Sequence, residues 1–522
     1  MSPIRRATPD SSLAAAQITR WSWLILALGL LLILYTTLFP FDFFVRTGPS
    51  AWEALRGFDL TLDRAYVLAD FSRNVVLFIP FGFGLSGLLA ARQRKTGRVV
   101  AWVAASGFVL SALMEGVQAV ALLRFPALAD VLANGLGAVV GCGLFYLAGG
   151  WIWQRVEWLQ VRTRPFLAPR RFLPLYLLYL SGWLAVSVWL QTMTQLSNWD
   201  GRFPLIVGNE QTRDRSWRGT LRQFYVADRA FSPAEVARLF AGEEVTAVDG
   251  SSLVASYDFT RADAPNFPPL VEQGASVLPR TADGVALSAE HWLESEGAVT
   301  AVSNALAASS QLTLGLEAAS GDLDQEGPAR LVSISGDPYN RNLTVGQEGP
   351  DLVFRLRMPL TGENGRQPEL IIPNVFTDEQ MHHIVVTYDG TAVRLAVDSA
   401  DNVYAIELLP AVALFTKTFP REVDQMRLNR GNMAVFRLLY TLCLFLPWAA
   451  WLAWRRQRDL WLALGLILPP LLWEAALSWL IRGYAFQTGY VVLGVAETAV
   501  LYLLFTLWQG SSAGKVAGGR DV

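Results

Sequence analysis

The chain has 522 residues, 52% of them hydrophobic and 17% charged, with a net charge of −2 at pH 7. Soluble domains carry about 25% charged residues, so much of this chain is expected to lie outside water. Proteins that bind nucleic acid are usually strongly basic, so the near-neutral net charge gives no reason to expect a nucleic-acid partner. The two cysteines lie in separate apolar runs, which argues against a disulfide framework or a cysteine metal site.

Apolar segments of about 20 residues, the length that a membrane-spanning helix needs, recur along the chain. They lie at residues 21–39, 74–91, 99–122, 131–153, 172–191, 433–454, 460–481 and 489–508. A long polar segment separates the fifth from the sixth. We therefore predict an α-helical polytopic membrane bundle of eight helices that carries one large polar domain.

Basic residues gather in the segments that alternating helices place on a single side of the membrane. Cytoplasmic loops carry an excess of lysine and arginine, so this side is predicted to be the cytoplasm. Both termini are then cytoplasmic, the chain lies in the plasma membrane, and residues 196–430 are periplasmic or extracellular. The basic residues are Arg5, Arg6, Arg20, Arg92, Arg94, Lys95, Arg98, Arg155, Arg162, Arg164, Arg170, Arg171, Arg455, Arg456, Arg458, Lys515 and Arg520.

Polar side chains occur at the predicted outer ends of helices two, three and four. Such groups are costly in a membrane helix and usually face a protein interior. Glu115 and Gln118 share one face of the third helix, and Asp130 and Asn134 share one face of the fourth. Because a short turn joins these helices, we expect the groups to converge. This front polar cluster consists of Asp70, Arg73, Asn74, Glu115, Gln118, Arg124, Asp130 and Asn134.

The front polar cluster belongs to a longer pattern that apolar helices alone would not supply. It includes TLFPF at 37–41 and NVVLFIPFGFG at 74–84, and it continues through Gly137 and Gly141, a small-residue strip that permits close helix contact. Over about residues 20–150 the pattern resembles the VanZ-like family. That family takes its name from a protein linked to teicoplanin resistance, so the resemblance implies a role in the cell envelope. It carries over no catalytic residues.

Three interpretations of the front polar cluster stay open. In the first, ion pairs and interhelical hydrogen bonds make it structural. In the second, it lines an outward-facing pocket for a polar headgroup such as a lipid-linked sugar. In the third, the carboxylates of Glu115 and Asp130 share acid and base roles.

Residues 196–430 alternate short strand-like segments with turns rich in Gly, Asp, Asn and Pro, which predicts an all-β sandwich. The clearest predicted strands are LTLGLE at 312–317, RLVSIS at 330–335, LVFRLRM at 352–358, HIVVTYDG at 383–390 and VRLAVDS at 393–399.

The segment EQMHHIVVTYDGTAVRLAVDSA at 379–400 resembles an adjacent strand pair of the laminin-G/concanavalin A-like jelly rolls, with Met381 where that family usually has tryptophan. Residues 216–240 resemble the closing strand and short helix of the family, and LVASYDFT at 253–260 resembles its opening strand. Because the closing element comes first, we predict a circularly permuted jelly roll inserted between helices five and six. Its ends would leave from neighbouring points and clamp it to the membrane.

The jelly-roll resemblance implies carbohydrate binding, in some members with calcium, although a fold alone does not fix a function. Asp322, Asp324 and Glu326 have ligand types that calcium accepts, but solvated turns are commoner. We therefore predict no cofactor and no metal. Trp217 is expected to pack inside the sandwich.

The sequence of the last three helices weakly resembles that of the front hairpin, which is formed by helices three and four. Glu474 and Arg482 are spaced almost like Glu115 and Arg124, and Gly489 then stands where the front hairpin has an aspartate. We predict a degenerate repeat.

These observations predict a VanZ-like membrane protein of the bacterial envelope that presents a carbohydrate- or protein-binding jelly roll at the outer face, with an enzyme not favoured. The alternative is a membrane enzyme or carrier that acts on a lipid-linked glycan precursor through Glu115 and Asp130. Predicted partners are membrane lipids and envelope polysaccharide or lipid-linked glycan, without nucleic acid. The predicted parts are a cytoplasmic N-terminus at 1–20, a VanZ-like four-helix domain at 21–153, a basic loop at 154–171, helix five at 172–191, the jelly roll at 196–430, helices six to eight at 433–508, and a cytoplasmic tail at 509–522.

Overall fold

The computed structural model describes residues 11–39, 41, 64–92, 95–121, 127–261, 266–274, 278–418, 427–456 and 459–510. These residues form two compact units. The first contains the described parts of Met1–Leu178, Leu446–Leu462 and Thr498–Val522. The second contains those of Tyr179–Phe445 and Ala463–Glu497.

Long helices form the start of the chain. They are α1 (Ser11–Leu38), α2 (Arg64–Ala91), α3 (Thr96–Ala121), α4 (Leu128–Thr163) and α5 (Pro169–Thr192). Each contains a stretch that is long and apolar enough to cross a bilayer. In the first unit, α2 packs chiefly against α1 and α4, around a core that includes Ile33, Phe78, Val103 and Ala138.

Glycines let α2 and α4 approach each other closely. A Cβ on Gly137 would overlap the carbonyl oxygen of Val75, and a Cβ on Gly141 would overlap that of Ile79. The close contact predicted for these two glycines is therefore present. It also brings the start of α4 beside Asn74, the neighbour of Val75 in α2.

The fourth helix is longer than predicted. The apolar run ends near residue 153, but α4 continues to Thr163, and a 3-10 turn follows at Arg164–Leu167. Residues 154–163 contain neither glycine nor proline, so no helix breaker stops the chain there. The segment predicted as a basic loop is thus largely helical.

The polar middle of the chain folds into strands and short helices. In chain order these are β1 (Pro204–Val207), β2 (Gly219–Ala227), α6 (Pro233–Phe240), α7 (Val245–Asp249), β3 (Leu253–Asp258), β4 (Leu270–Gly274), β5 (Arg280–Thr281), β6 (Gly284–Leu287), β7 (His291–Ala298), α8 (Thr300–Ser309), β8 (Leu312–Ser320), β9 (Ala329–Ser335), β10 (Arg341–Glu348), β11 (Asp351–Leu356), β12 (Glu369–Ile372), β13 (His382–Tyr388), β14 (Ala392–Val397), β15 (Val403–Glu407), α9 (Pro410–Thr418) and β16 (Arg427–Leu428).

Among the described residues these strands form two sheets of eight strands each. One has the order β16-β12-β11-β10-β9-β1-β7-β4. The other has the order β15-β14-β13-β8-β2-β6-β5, with β3 paired to β2. Pairing is antiparallel except between β12 and β16. The five strands that the sequence marked most clearly all lie in these sheets.

The chain ends with α10 (Arg430–Arg455), α11 (Asp459–Leu480) and α12 (Thr488–Gly510). In the part of the chain that the structure describes, eight helices are thus long and apolar enough to span a membrane. The predicted fold class, a helical membrane bundle with a β sandwich, is confirmed. The protein is a multi-pass membrane protein.

The core of the sandwich contains Trp217, whose side chain is fully buried. Its indole Nε1–H donates to Oε1 of Gln347 at 2.8 Å. The prediction that this tryptophan packs inside the sandwich is confirmed, and its ring faces are closed to any ligand.

The second unit joins the sandwich to membrane helices at both of its ends. At the end of α5, Nε2 of Gln191 donates to the backbone carbonyls of Gly390 at 3.1 Å and Leu408 at 3.2 Å. On the other side, Arg437 of α10 forms an ion pair with Glu407 of β15. The sandwich therefore contacts the flanking helices at both of its ends, which gives it a double attachment.

Candidate functional site: the front polar cluster

The front polar cluster is built around the first turn of α4. Ala127 precedes this helix, and no side chain of its own caps the helix end. Glu115 of α3 supplies the acceptor instead, because the backbone N–H of Ala127 donates to its Oε2 at 3.2 Å. Glu115 is only 7% exposed. A helix N-terminus presents unpaired N–H groups and the positive end of the dipole, so a carboxylate is favoured at this place.

A second carboxylate joins the same turn to α2. Nδ2 of Asn74 donates to Oδ1 of Asp130 at 2.7 Å. Both side chains are half-buried. The bond lies next to the close backbone contact at Gly137, so the glycine strip and the polar pair hold α2 and α4 at one register.

The amides of the cluster connect further helix pairs. Nδ2 of Asn134 donates to Oγ of Ser111 at 2.8 Å, which links α4 to α3 in the protein interior. Nε2 of Gln118 donates to the backbone carbonyl of Thr37 at 2.7 Å, which links α3 to α1. Interhelical hydrogen bonds of this kind contribute about 0.6–2 kcal/mol each in membrane proteins.

Two further predicted members lie apart from these buried bonds. Arg73 and Asp70 form an ion pair of 3.3 Å within α2, and their side chains are 61% and 54% exposed. An exposed pair of this kind adds little to stability. Arg124, also predicted for the cluster, lies outside the described residues.

The arrangement places both carboxylates of interest at one helix end. Glu115 contacts the residue that precedes α4, and Asp130 belongs to the first turn of the same helix. Asp130 is half-buried, whereas Glu115 is buried. Within the described ranges, no group of three or more His, Cys, Asp or Glu side chains could hold a metal ion.

Comparison with known proteins supplies one match. Residues 21–149 match the model of the VanZ/LLP1 family. This part of the chain is a VanZ-like domain. The match includes Asp70 to Asn134 and therefore all members of the front polar cluster. No curated protein and no solved structure matches the chain.

Within the VanZ-like domain, the sequence analysis did not identify two of the partners. Ser111 is fully buried and lies one helical turn before Glu115, so a scan for polar residues on the same face of α3 would have found it. Thr37 takes part through its backbone carbonyl, which side-chain chemistry does not reveal. The capping role of Glu115 was also missed, because the sequence does not show which N–H group it meets.

Outside the VanZ-like domain, a buried charge cluster was missed. Glu210 accepts from Nε of Arg330 at 3.1 Å and from Nε of Arg341 at 2.8 Å. The exposed fraction of these side chains is at most 6%. Burial alone raises the pKa of Glu210, but the hydrogen bonds and charges of the two arginines outweigh it and bring the pKa to about 2. The cluster joins β9 and β10 to the loop after β1 and is structural.

The acidic loop considered for calcium forms a turn. The backbone N–H of Asp324 donates to Oδ1 of Asp322 at 3.1 Å. Asp322 is otherwise engaged through its backbone carbonyl, which accepts from Nε2 of Gln325 at 3.0 Å. These contacts fit the solvated turn that the sequence analysis favoured.

Proposed function

We propose that this protein is an envelope protein whose membrane helices hold a ligand-binding sandwich against the outer face of the plasma membrane. The observation that carries the proposal is the double attachment of the sandwich, at Gln191 and at the Arg437–Glu407 ion pair. A domain held at two points has a defined distance and orientation relative to the bilayer. The proposal that the sandwich lies on the outer side of the membrane is supported by the basic residues of the connecting segments, which favour the cytoplasmic side for those segments.

The strand pairing supports a permuted laminin-G/concanavalin A-like jelly roll. The inferred closing strand, β2, pairs antiparallel with the inferred opening strand, β3, with Phe224 opposite Tyr257. The two helices α6 and α7 connect them and would join the ancestral termini. In the inferred strand pair β13–β14, a ring nitrogen of His382 lies 2.7 Å from Oδ2 of Asp398, which ties the start of one strand to the end of the other.

An exposed aromatic side chain gives the sandwich a candidate ligand contact. Tyr339 is 76% exposed in the turn between β9 and β10. Oδ1 of Asp337 accepts from the backbone N–H groups of Tyr339 at 2.7 Å and Asn340 at 2.9 Å, so the turn is internally braced. A flat ring that is held in water on a rigid turn is suited to stack on a sugar.

The test uses the full chain in lipid nanodiscs and a panel of envelope polysaccharides. We expect at least one polysaccharide to bind, and Tyr339→Ala to weaken its binding by about tenfold. Val271→Ala removes an exposed apolar side chain elsewhere on the sandwich and is expected to leave binding unchanged. Absence of binding across the panel contradicts the carbohydrate ligand and leaves a protein ligand as the remaining form of the proposal.

The second candidate is a membrane enzyme or carrier for a lipid-linked glycan precursor. It is favoured by the placement of two carboxylates, Glu115 and Asp130, at one helix end of the VanZ-like domain. Under this proposal, Glu115→Gln and Asp130→Asn cause the precursor to accumulate in membranes while the abundance of the protein stays normal. Ser111→Ala, which removes an interhelical bond without touching a carboxylate, is the matched control. Loss of abundance in the two carboxylate variants, without accumulation, favours the structural interpretation.

A further inference from the structure

The end of α4 has an exposed face on which tryptophan and arginine alternate. Trp151, Arg155, Trp158 and Arg162 are spaced by four, three and four residues, so they lie on one side of the helix. All four residues are exposed. We call them the Trp–Arg face. It begins inside the apolar run and continues beyond residue 153, where that run ends, over a total length of about 17 Å at 1.5 Å per residue.

The arginines of the Trp–Arg face point back towards the membrane. The guanidinium carbon of Arg155 lies 5.3 Å from the ring centre of Trp151, and that of Arg162 lies 5.2 Å from the ring centre of Trp158. Side chains of a helix lean towards its N-terminus, and the cation–π contact favours this position. Each charge therefore lies about one helical turn nearer to the apolar run than its own backbone does.

This direction places both charges at the depth of lipid headgroups. The backbone of Arg162 lies about 14 Å beyond residue 153, but its guanidinium, over Trp158, lies only about 8 Å beyond that residue. The guanidinium of Arg155, over Trp151, lies at the boundary of the apolar run. The headgroup layer on each side of the hydrocarbon core is about 5–8 Å thick. Tryptophan rings are themselves enriched at this depth.

The segment around the Trp–Arg face has an excess of positive charge. Residues 154–171 contain five arginines and one acidic residue, Glu157, which gives a net charge of +4. In the part of the chain that the structure describes, none of these arginines forms an ion pair with an acidic side chain. The charge is therefore available to an anionic partner. The five arginines are Arg155, Arg162, Arg164, Arg170 and Arg171.

The connection from α4 to α5 is held close to the membrane. Nε1 of Trp451 in α10 donates to the backbone carbonyl of Leu167 at 2.9 Å. Phe172, near the start of α5, stacks on the ring of Trp451 with the ring centres 4.7 Å apart. Trp451 belongs to a helix that is long and apolar enough to span the bilayer, so the basic segment cannot move far from it. Lipid headgroups are always present at this place, which favours them over an acidic protein as the partner.

We propose that the Trp–Arg face, together with the arginines of the connection to α5, binds the headgroups of anionic phospholipids. The guanidinium groups donate to phosphate oxygens, and the tryptophan rings lie at the boundary with the acyl chains. Basic residues beside a spanning helix are attracted to an anionic membrane surface in this way. The surface is separate from the front polar cluster and independent of the function proposed for the sandwich.

The experiment uses the purified full chain in detergent and native mass spectrometry. The protein is offered an equimolar mixture of phosphatidylglycerol and phosphatidylethanolamine with identical acyl chains. We expect the wild type to retain phosphatidylglycerol at least about tenfold more than phosphatidylethanolamine. The double variant Arg155→Gln/Arg162→Gln removes two charges from the Trp–Arg face, so this preference is expected to fall by about fivefold or more.

The matched control is the double variant Arg92→Gln/Arg98→Gln, which removes the same charge from exposed positions next to the link between α2 and α3. That link lies at the same end of the bundle, because α2 and α4 run parallel: Gly137 meets Val75 and Gly141 meets Ile79. We expect the control to keep the preference of the wild type within about twofold.

Equal retention of the two lipids by the wild type overturns the proposal and favours an acidic protein as the partner of this surface. That comparison does not depend on whether any variant folds. An equal fall in the two double variants also overturns the proposal, because the preference would then follow from total charge rather than from the Trp–Arg face. An unchanged preference in the correctly folded Arg155→Gln/Arg162→Gln protein leads to the same conclusion.

Discussion

Glu115 and Glu474 occupy the same structural position in two separate helical hairpins. Oε2 of Glu115 accepts from the backbone N–H of Ala127, which immediately precedes α4, at 3.2 Å. Oε1 of Glu474 accepts from the backbone N–H of Gln487, which immediately precedes α12, at 2.9 Å. In both cases a glutamate near the end of one helix caps the start of the next. The two hairpins of the repeat predicted from the sequence thus share the same helix-capping contact.

The first prediction concerns the cap of α4. Glu115→Ala leaves the N–H of Ala127 without its acceptor in a buried site, so we expect a loss of stability of about 1–3 kcal/mol. The measurement is thermal unfolding of the full chain in detergent. Glu157→Ala, at an exposed position of α4, is the control and should unfold like the wild type. Equal melting temperatures for the two variants would contradict the capping role.

The second prediction concerns the contact between α2 and α4. Gly137→Ala places a methyl group against the carbonyl oxygen of Val75, so the helices must separate. Gly143 lies on the same helix and has open space around the corresponding position. We expect Gly137→Ala to lower the melting temperature and the folded yield, and Gly143→Ala to leave both unchanged. A Gly137→Ala protein as stable as the wild type would show that the contact is looser than described.

The third prediction concerns the pH dependence of the sandwich. The pKa of Glu210 is about 2 in the folded protein and 4.5 in the reference state, so its ion cluster stabilises the fold at pH above 4.5. That contribution, about 3 kcal/mol in order of magnitude, is lost as the pH falls from 4.5 towards 2. Protection of β9 and β10 amides in hydrogen exchange should decrease over this window. Glu210→Gln should weaken the protection at pH 7 and flatten its pH dependence, and an equally steep curve would exclude Glu210 as the cause.

The fourth prediction concerns the side of the membrane on which the sandwich lies. In a background without Cys142 and Cys443, Tyr339→Cys is exposed on the sandwich and Trp158→Cys is exposed on α4 beyond the apolar run. A membrane-impermeant maleimide added to intact spheroplasts should label the first cysteine and not the second, and both after lysis. The reverse pattern would place the sandwich in the cytoplasm.

Much of the architecture follows from the sequence because it depends on local pattern. Runs of about 20 apolar residues predict spanning helices, and alternation with turn residues predicts strands. The convergence of Asn74 and Asp130 was also predictable, since the glycine strip of α4 permits close contact with a neighbouring helix and polar side chains in membrane helices face a protein interior. The extension of α4 to Thr163 was not predictable in this way, because a change in hydropathy marks the membrane boundary rather than the end of a helix.

Contacts between residues that are far apart in the chain could not be predicted from local sequence pattern. Glu210 and Arg341 lie 131 positions apart, and only the folded sheet shows that they meet. In the predicted repeat, counting from the two glutamates makes Gly489 the equivalent of Asp130. Counting from the capped residues, Ala127 and Gln487, makes Tyr490 the equivalent of Asp130 instead. The connection after Glu474 is one residue longer than that after Glu115, because the capped residues are 13 and 12 positions away. The sequence alone does not locate that extra residue.

Glu407 of β15 pairs with Arg437 of α10 and accepts a hydrogen bond from the hydroxyl of Tyr490 in α12. Under the proposed function, these contacts limit where the sandwich can act. A module on a single flexible linker samples a large volume and captures whatever diffuses through it. This domain instead contacts α5 through Gln191 and contacts α10 and α12 through Arg437 and Tyr490, so its orientation relative to these helices is restricted. Under the proposed function, a ligand of the sandwich is therefore expected to be lipid-anchored or to be bound close to the membrane surface.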